Sequence, residues 1–336
     1  MESKINIITS RIAWVDWFKA ILIILVVMGH CGGIFSPIIY AFHIPAFFFI
    51  SGYLSNFNKS PQATIKSCSG MLYAIFIYNI TFIILNAVKL YFTSDGLGHS
   101  SGEFSLNEVI VRPFIGIFVC NYFEHPWSNP LVPQFWFVWV LILMKLFYAF
   151  IKQLSAKNLI LICMFCVLYA FVLSHYDFRT IFVVDRTITA FPFFIIGQLC
   201  RNNSGICVNY MMHLSFVKFI LLAVLFIGGI VFNYITIDIH RPDLFYLKLG
   251  PSIIIYYITS MIGTLLLVTI TKMLPRRRFA EVLSVGTFGI LAIHLYMLHD
   301  ILLFEPTGLF ATSIVIIVLY PYILFANNYY KPLIGK

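Results

Sequence analysis

Roughly ten apolar runs, each about 20 residues long, follow one another along this chain with only short polar breaks between them. That length is what an α-helix needs to cross the hydrocarbon of a bilayer. Lipid offers no partner to an unpaired backbone N–H or C=O, so each run must close its own hydrogen bonds as a helix. Of the 336 residues, 61% are hydrophobic and 10% are charged, whereas soluble proteins carry roughly 25% charged residues. A soluble core cannot absorb that much apolar surface. The expected fold is an all-α integral membrane protein, a bundle of about ten transmembrane helices in one domain spanning residues 1–336.

The runs place helices near 12–30, 36–54, 70–92, 135–152, 158–174, 187–200, 214–234, 250–271, 281–303 and 308–326. The stretch 93–134 opens polar and has an apolar middle suited to a re-entrant or interfacial helix. Charge sets the orientation. With the N-terminus inside, thirteen Lys and Arg residues fall in cytoplasmic segments and five in outer ones, the bias expected of cytoplasmic loops. Both termini are then expected to be cytoplasmic. The net charge of +9 is accounted for by those loops, so no nucleic-acid partner is implied.

The first run, WVDWFKAILIILVVMGH, carries Asp16, Lys19 and His30. Ionisable groups inside a membrane helix are costly and mark function by default. At about 100° per residue, the eleven steps from Lys19 to His30 come to about three turns plus 20°, and Asp16 lies within about 60° of both. The three therefore share one face. The rise from Lys19 to His30 is about 16 Å, roughly half the hydrocarbon thickness. Asp16 and Lys19, three residues apart, can pair and lower the cost of burying either.

His43 follows thirteen residues after His30, across a turn expected near Gly32, Gly33 and Pro37. Both imidazoles should lie near the outer membrane face and close together. Histidine titrates near neutral pH and is the usual general base for a hydroxyl proton. Further along, Glu124, His125, Trp127, Gln134 and Trp136 form a polar and aromatic group suited to stacking on a sugar, although interfacial aromatic belts account for the Trp residues equally. Asp185 and Arg186 either pair structurally or line an acceptor cleft. His294 either faces the same cavity or serves helix packing. Arg276, Arg277 and Arg278 are cytoplasmic cations able to meet phosphates, or a topology signal. Seven cysteines are scattered; Cys163 and Cys166 lie inside an apolar run and read as small buried hydrophobes, and no metal site is expected.

The segments RIAWVDWFK, IILVVMGH and FHIPAFFFISGYL resemble acyltransferase family 3, a family of membrane acyltransferases. That family's signature is a basic residue separated from a histidine by ten intervening residues, matched here by Lys19 and His30. The last segment is most similar to the branch named for fucose 4-O-acetyltransferase. FWFV at 135–138, AFPFFIIG at 190–197 and TFGILAIHLYML at 287–298 add weaker likenesses.

The resemblance implies transfer of an acetyl group from cytoplasmic acetyl-CoA to a sugar hydroxyl of an extracytoplasmic polysaccharide or lipid-linked glycan precursor. The setting it implies is a multi-pass protein of a bacterial inner membrane, with acetyl-CoA as donor and no bound cofactor. His30 is the expected catalytic histidine, acting as general base or as a transient acyl carrier, with Lys19 as its basic partner. Two positions depart from the family pattern. Many members carry Arg where this chain has Lys19, and Lys lacks the bidentate fork. Leu141 stands where another branch has a glutamate. A transporter or flippase for a glycan or small anionic solute also uses buried charge and remains the alternative reading.

Overall fold

The computed structural model describes residues 12–55, 60–94, 106–119, 130–176, 180, 182–202, 214–235, 242–301 and 308–335. These form α1 (Ala13–His30), α2 (Ser36–Leu54), α3 (Pro61–Ser94), α4 (Arg112–Val119), α5 (Trp136–Ile151), α6 (Ala156–Tyr176), α7 (Val184–Asn202), α8 (Phe216–Ile230), α9 (Ile253–Lys272), α10 (Arg278–Ile301) and α11 (Leu309–Tyr329). A π-turn, Asn107–Val111, leads into α4, and 3₁₀ turns precede α5 (Pro133–Phe135) and follow α11 (Lys331–Ile334). No named strand occurs among the described residues, only the isolated bridge between Asp243 and Lys248.

Nine of these helices are long and apolar enough to cross a membrane. The tenth expected span is α7, whose Asp185, Arg186 and Arg201 lower its hydropathy although it packs at the centre of the bundle against α2, α5 and α6. The protein is a polytopic all-helical membrane bundle. Two boundaries differ from expectation. The third helix begins at Pro61 rather than near 70, because the polar turn QATIKSCSG stays helical beyond the apolar run. The apolar middle of 93–134 forms only the short α4, whose Ile117 carbonyl accepts a hydrogen bond from the Trp139 indole of α5 at 2.9 Å.

Three local devices fix the core. Gly32 and Gly33 have φ of +78° and +93°, the left-handed conformation that glycine tolerates, and so reverse the chain between α1 and α2. Pro45 inside α2 has no N–H for the Ala41 carbonyl, and the Ser260 hydroxyl of α9 donates to that carbonyl instead, at 2.6 Å. Gly52 of α2 and Gly197 of α7 meet reciprocally: a Cβ on the first would land on the Phe194 carbonyl, and one on the second on the Phe49 carbonyl. Small residues at such a crossing let two helix backbones touch, which is how membrane helices gain packing energy without a hydrophobic drive.

The lipid-facing side is as plain. Leu161, Met164, Phe165 and Leu168 of α6 and Val217, Leu221 and Val224 of α8 are exposed, as apolar side chains turned toward acyl tails should be. By contrast, α1 is packed against α2, α9, α10 and α11.

Candidate active site

α1 and α10 lie side by side, running in the same direction by the alternation of spans, and their polar residues meet rung by rung. Near the N-terminal end, the Trp17 indole donates to the Pro275 carbonyl at 2.7 Å. Two residues further along α1, the Lys19 ammonium donates to the Ser284 carbonyl at 2.8 Å. At the other end the His30 and His294 rings lie 5.1 Å apart, centroid to centroid. The spacing explains the register: Lys19 to His30 rises about 16 Å and Ser284 to His294 about 15 Å.

Around Lys19 opens a cavity of about 510 Å³. Lys145 and Lys152 of α5 also line it, with the hydroxyl-bearing Ser51, Thr64 and Ser67, and no carboxylate lines it among the described residues. On α5 the lining residues Leu141, Lys145, Tyr148 and Lys152 recur at four, three and four positions, the stripe a single helix face presents. Three partly buried ammonium groups in a carboxylate-free pocket make a site of strongly positive potential. The pocket lies toward the N-terminal end of α1, on the Lys19 side of the helix rather than the His30 side. The turn Lys331–Ile334 closes one flank, where Ile334 and Gly335 line the cavity. Tyr78 holds that turn by donating to the Leu333 carbonyl at 2.8 Å.

The inner end of the cavity reaches Phe47, Phe137 and Leu291. His294 sits three residues beyond Leu291, about 4.5 Å further along the helix. It is fully buried. Its Nδ1 lies 3.0 Å from the Ile290 carbonyl and 2.9 Å from the Leu291 carbonyl. A carbonyl only accepts, so Nδ1 carries the proton in the neutral ring and Nε2 bears the lone pair. That Nε2 is buried with no hydrogen-bond partner among the described residues. Gln134 reaches the same turn: its Nε2 donates to the Ala292 carbonyl at 2.9 Å, and its buried Oε1 has no partner among the described residues.

His43 is joined to this group through Tyr40. The Tyr40 ring lies 6.3 Å from His30 and 5.0 Å from His43, and the buried His43 uses Nδ1 on its own Ile39 carbonyl at 2.7 Å. His30 thus meets rings on two neighbouring helices, Tyr40 of α2 and His294 of α10. Asp16 is buried near the opposite end of α1 and acts electrostatically on Arg276.

The other sequence candidates separate into distinct places. Arg276 and Arg278 both reach Glu281, at 2.5 and 3.4 Å. The hydrogen bond to Glu281 raises the Arg276 pKa above its ordinary value, and none of Arg276, Arg277 and Arg278 lines the cavity. Arg186 pairs with the fully buried Asp185 at 3.1 Å, donates to the Phe245 carbonyl at 2.8 Å and stacks its guanidinium over the Phe245 ring at 4.8 Å. The Trp136 ring also packs against Phe245, at 5.3 Å. Asp185, Arg186 and Trp136 thus tie α5 and α7 to the 242–249 turn, whereas Gln134 alone of this group joins the histidines. Glu124, His125 and Trp127 lie outside the described residues.

Lys145 escaped the sequence reading, although the rule that singled out Lys19 applies to it equally: it is a charge in the middle of the apolar run WFVWVLILMKLFYAFI. No sequence signal pairs His30 with His294, which are 264 positions apart.

A cationic cavity on one side and a histidine pair beyond its inner end, joined by one helix, suit transfer of a group from an anionic carrier. No curated protein and no solved structure matches the chain. Residues 12–326 match the model of the acyltransferase domain of family 3, a span that holds the cavity lysines, both ends of α1 and the histidine pair, and the chain belongs to that family.

Proposed function

We propose that this acyltransferase moves an acetyl group from cytoplasmic acetyl-CoA to a sugar hydroxyl of an extracytoplasmic polysaccharide or lipid-linked glycan precursor, in a bacterial inner membrane. On this reading it is an O-acetyltransferase akin to the fucose 4-O-acetyltransferase branch. The observation that carries the proposal is the course of α1, whose Lys19 lines the cationic cavity while its His30 meets His294 about 16 Å further across the bilayer. A donor rich in phosphate suits the lysine-lined pocket, and Lys19, Lys145 and Lys152 take the role that the sequence reading gave to Arg276, Arg277 and Arg278. The acyl end would extend past Leu291 toward the histidines.

There the chemistry needs a base for the acceptor hydroxyl and donors for the developing oxyanion. His30 takes the hydroxyl proton as the sugar oxygen bonds to the acyl carbon. The C–S bond then breaks, and the proton passes from His30 to the leaving thiolate, yielding ester and thiol. Gln134, beside His294, is suited to orient the acceptor hydroxyl through its open Oε1. The test is transfer of labelled acetyl from acetyl-CoA to glycan by purified protein in detergent, with His30→Ala beside it. Label on the sugar that disappears in His30→Ala supports the reading; sugar crossing a vesicle membrane without covalent change would replace it with a transporter.

A further inference from the structure

Resting on that acyltransferase reading, we infer that His294 is a positioning residue for His30: its Nε2 accepts a hydrogen bond from one His30 nitrogen and leaves the other bearing the lone pair that takes the acceptor's proton. Three observations converge. The two carbonyls at His294 Nδ1 fix which nitrogen is bare. The bare nitrogen is fully buried and has no partner among the described residues, a costly state unless something uses it. The His30 ring lies 5.1 Å away, tilted by 48°, a separation that a modest ring rotation converts to a hydrogen bond. Catalytic contacts are often long without substrate and tighten when it binds.

The role goes beyond orientation. When His30 holds the acceptor's proton it is a cation inside the bilayer, where an unmatched charge is expensive. A neutral imidazole acceptor stabilises it without adding a charge of its own.

The experiment is steady-state kinetics on the full-length protein in detergent with acetyl-CoA and glycan, for His294→Phe, His294→Leu and His294→Gln, alone and in a His30→Ala background. Phe keeps the ring and Leu roughly the packing, but neither accepts a hydrogen bond; the Gln amide oxygen does. The expected result is a kcat loss of about a hundredfold in both Phe and Leu variants, with KM for acetyl-CoA and the thermal midpoint retained, at least a tenfold recovery in Gln, and no further loss when His30 is already Ala. Wild-type kcat in either the Phe or the Leu variant overturns the inference, as does a Gln variant as slow as Phe. A loss expressed in acceptor KM alone also overturns it, making His294 a substrate contact. Wild-type kcat in His294→Phe beside a complete loss in His30→Ala rejects the inference and leaves the acyltransferase reading standing.

Discussion

Leu291 turns its side chain toward the cationic cavity and its carbonyl toward His294, 2.9 Å from Nδ1. One residue thus borders both the pocket and the histidine pair. Leu291→Trp crowds that junction without adding or removing a charge. We expect kcat/KM for acetyl-CoA to fall by about a hundredfold, the scale of a misplaced reacting group, while thermal unfolding in detergent stays within a few degrees of wild type. Kinetics and a melting scan check both halves.

The lysines of α5 should act on donor binding rather than on chemistry. Lys145→Gln and Lys152→Gln are each expected to raise KM for acetyl-CoA by about three- to tenfold, in line with about 1 kcal/mol for a cation near a phosphate. The kcat should be nearly unchanged. Raising salt should weaken donor binding in the wild type more than in the double variant, because the attraction is screened.

Neutralising Arg276, Arg277 and Arg278 together should leave KM for the donor within about twofold, since Arg276 and Arg278 engage Glu281 outside the cavity and such exposed pairs contribute little. Donor titration of the triple glutamine variant measures this directly. A tenfold rise in KM would return the arginines to the donor site.

The crossing of α2 and α7 predicts a stability phenotype separate from catalysis. Gly52→Val and Gly197→Val each drive a side chain into the facing backbone carbonyl. The cost expected is at least the 1–3 kcal/mol of an overpacked core, read as a lower thermal midpoint and lower yield of folded protein. Gly228→Ala is the control, because its Cβ would meet nothing within 4 Å.

What could be read from the sequence follows from what is local. Helices showed as apolar runs of spanning length, and α7 showed as the shorter run 187–200 around AFPFFIIG, with its charged ends Asp185, Arg186 and Arg201 outside that run. Lys19 and His30 stood out because both lie on one helix face, a relation of spacing alone. The remainder depends on contacts between distant segments. Ser260 supplying the donor that Pro45 lacks, and His294 rather than His43 meeting the His30 ring, are set by which helices adjoin, and periodicity carries no record of that. The start of α3 at Pro61 was missed for a different reason, since its first turns are polar and hydropathy marks membrane depth rather than helix ends.

The central claim is that one helix links a donor pocket on one side of the membrane to a histidine centre that serves the other. The most direct measurement uses sealed vesicles holding the protein in one orientation, with labelled acetyl-CoA confined to the side bearing Lys145 and Lys152 and the glycan confined to the opposite side. The account predicts label on the glycan, lost in His30→Ala. Label that appears only when donor and glycan share a compartment would contradict it.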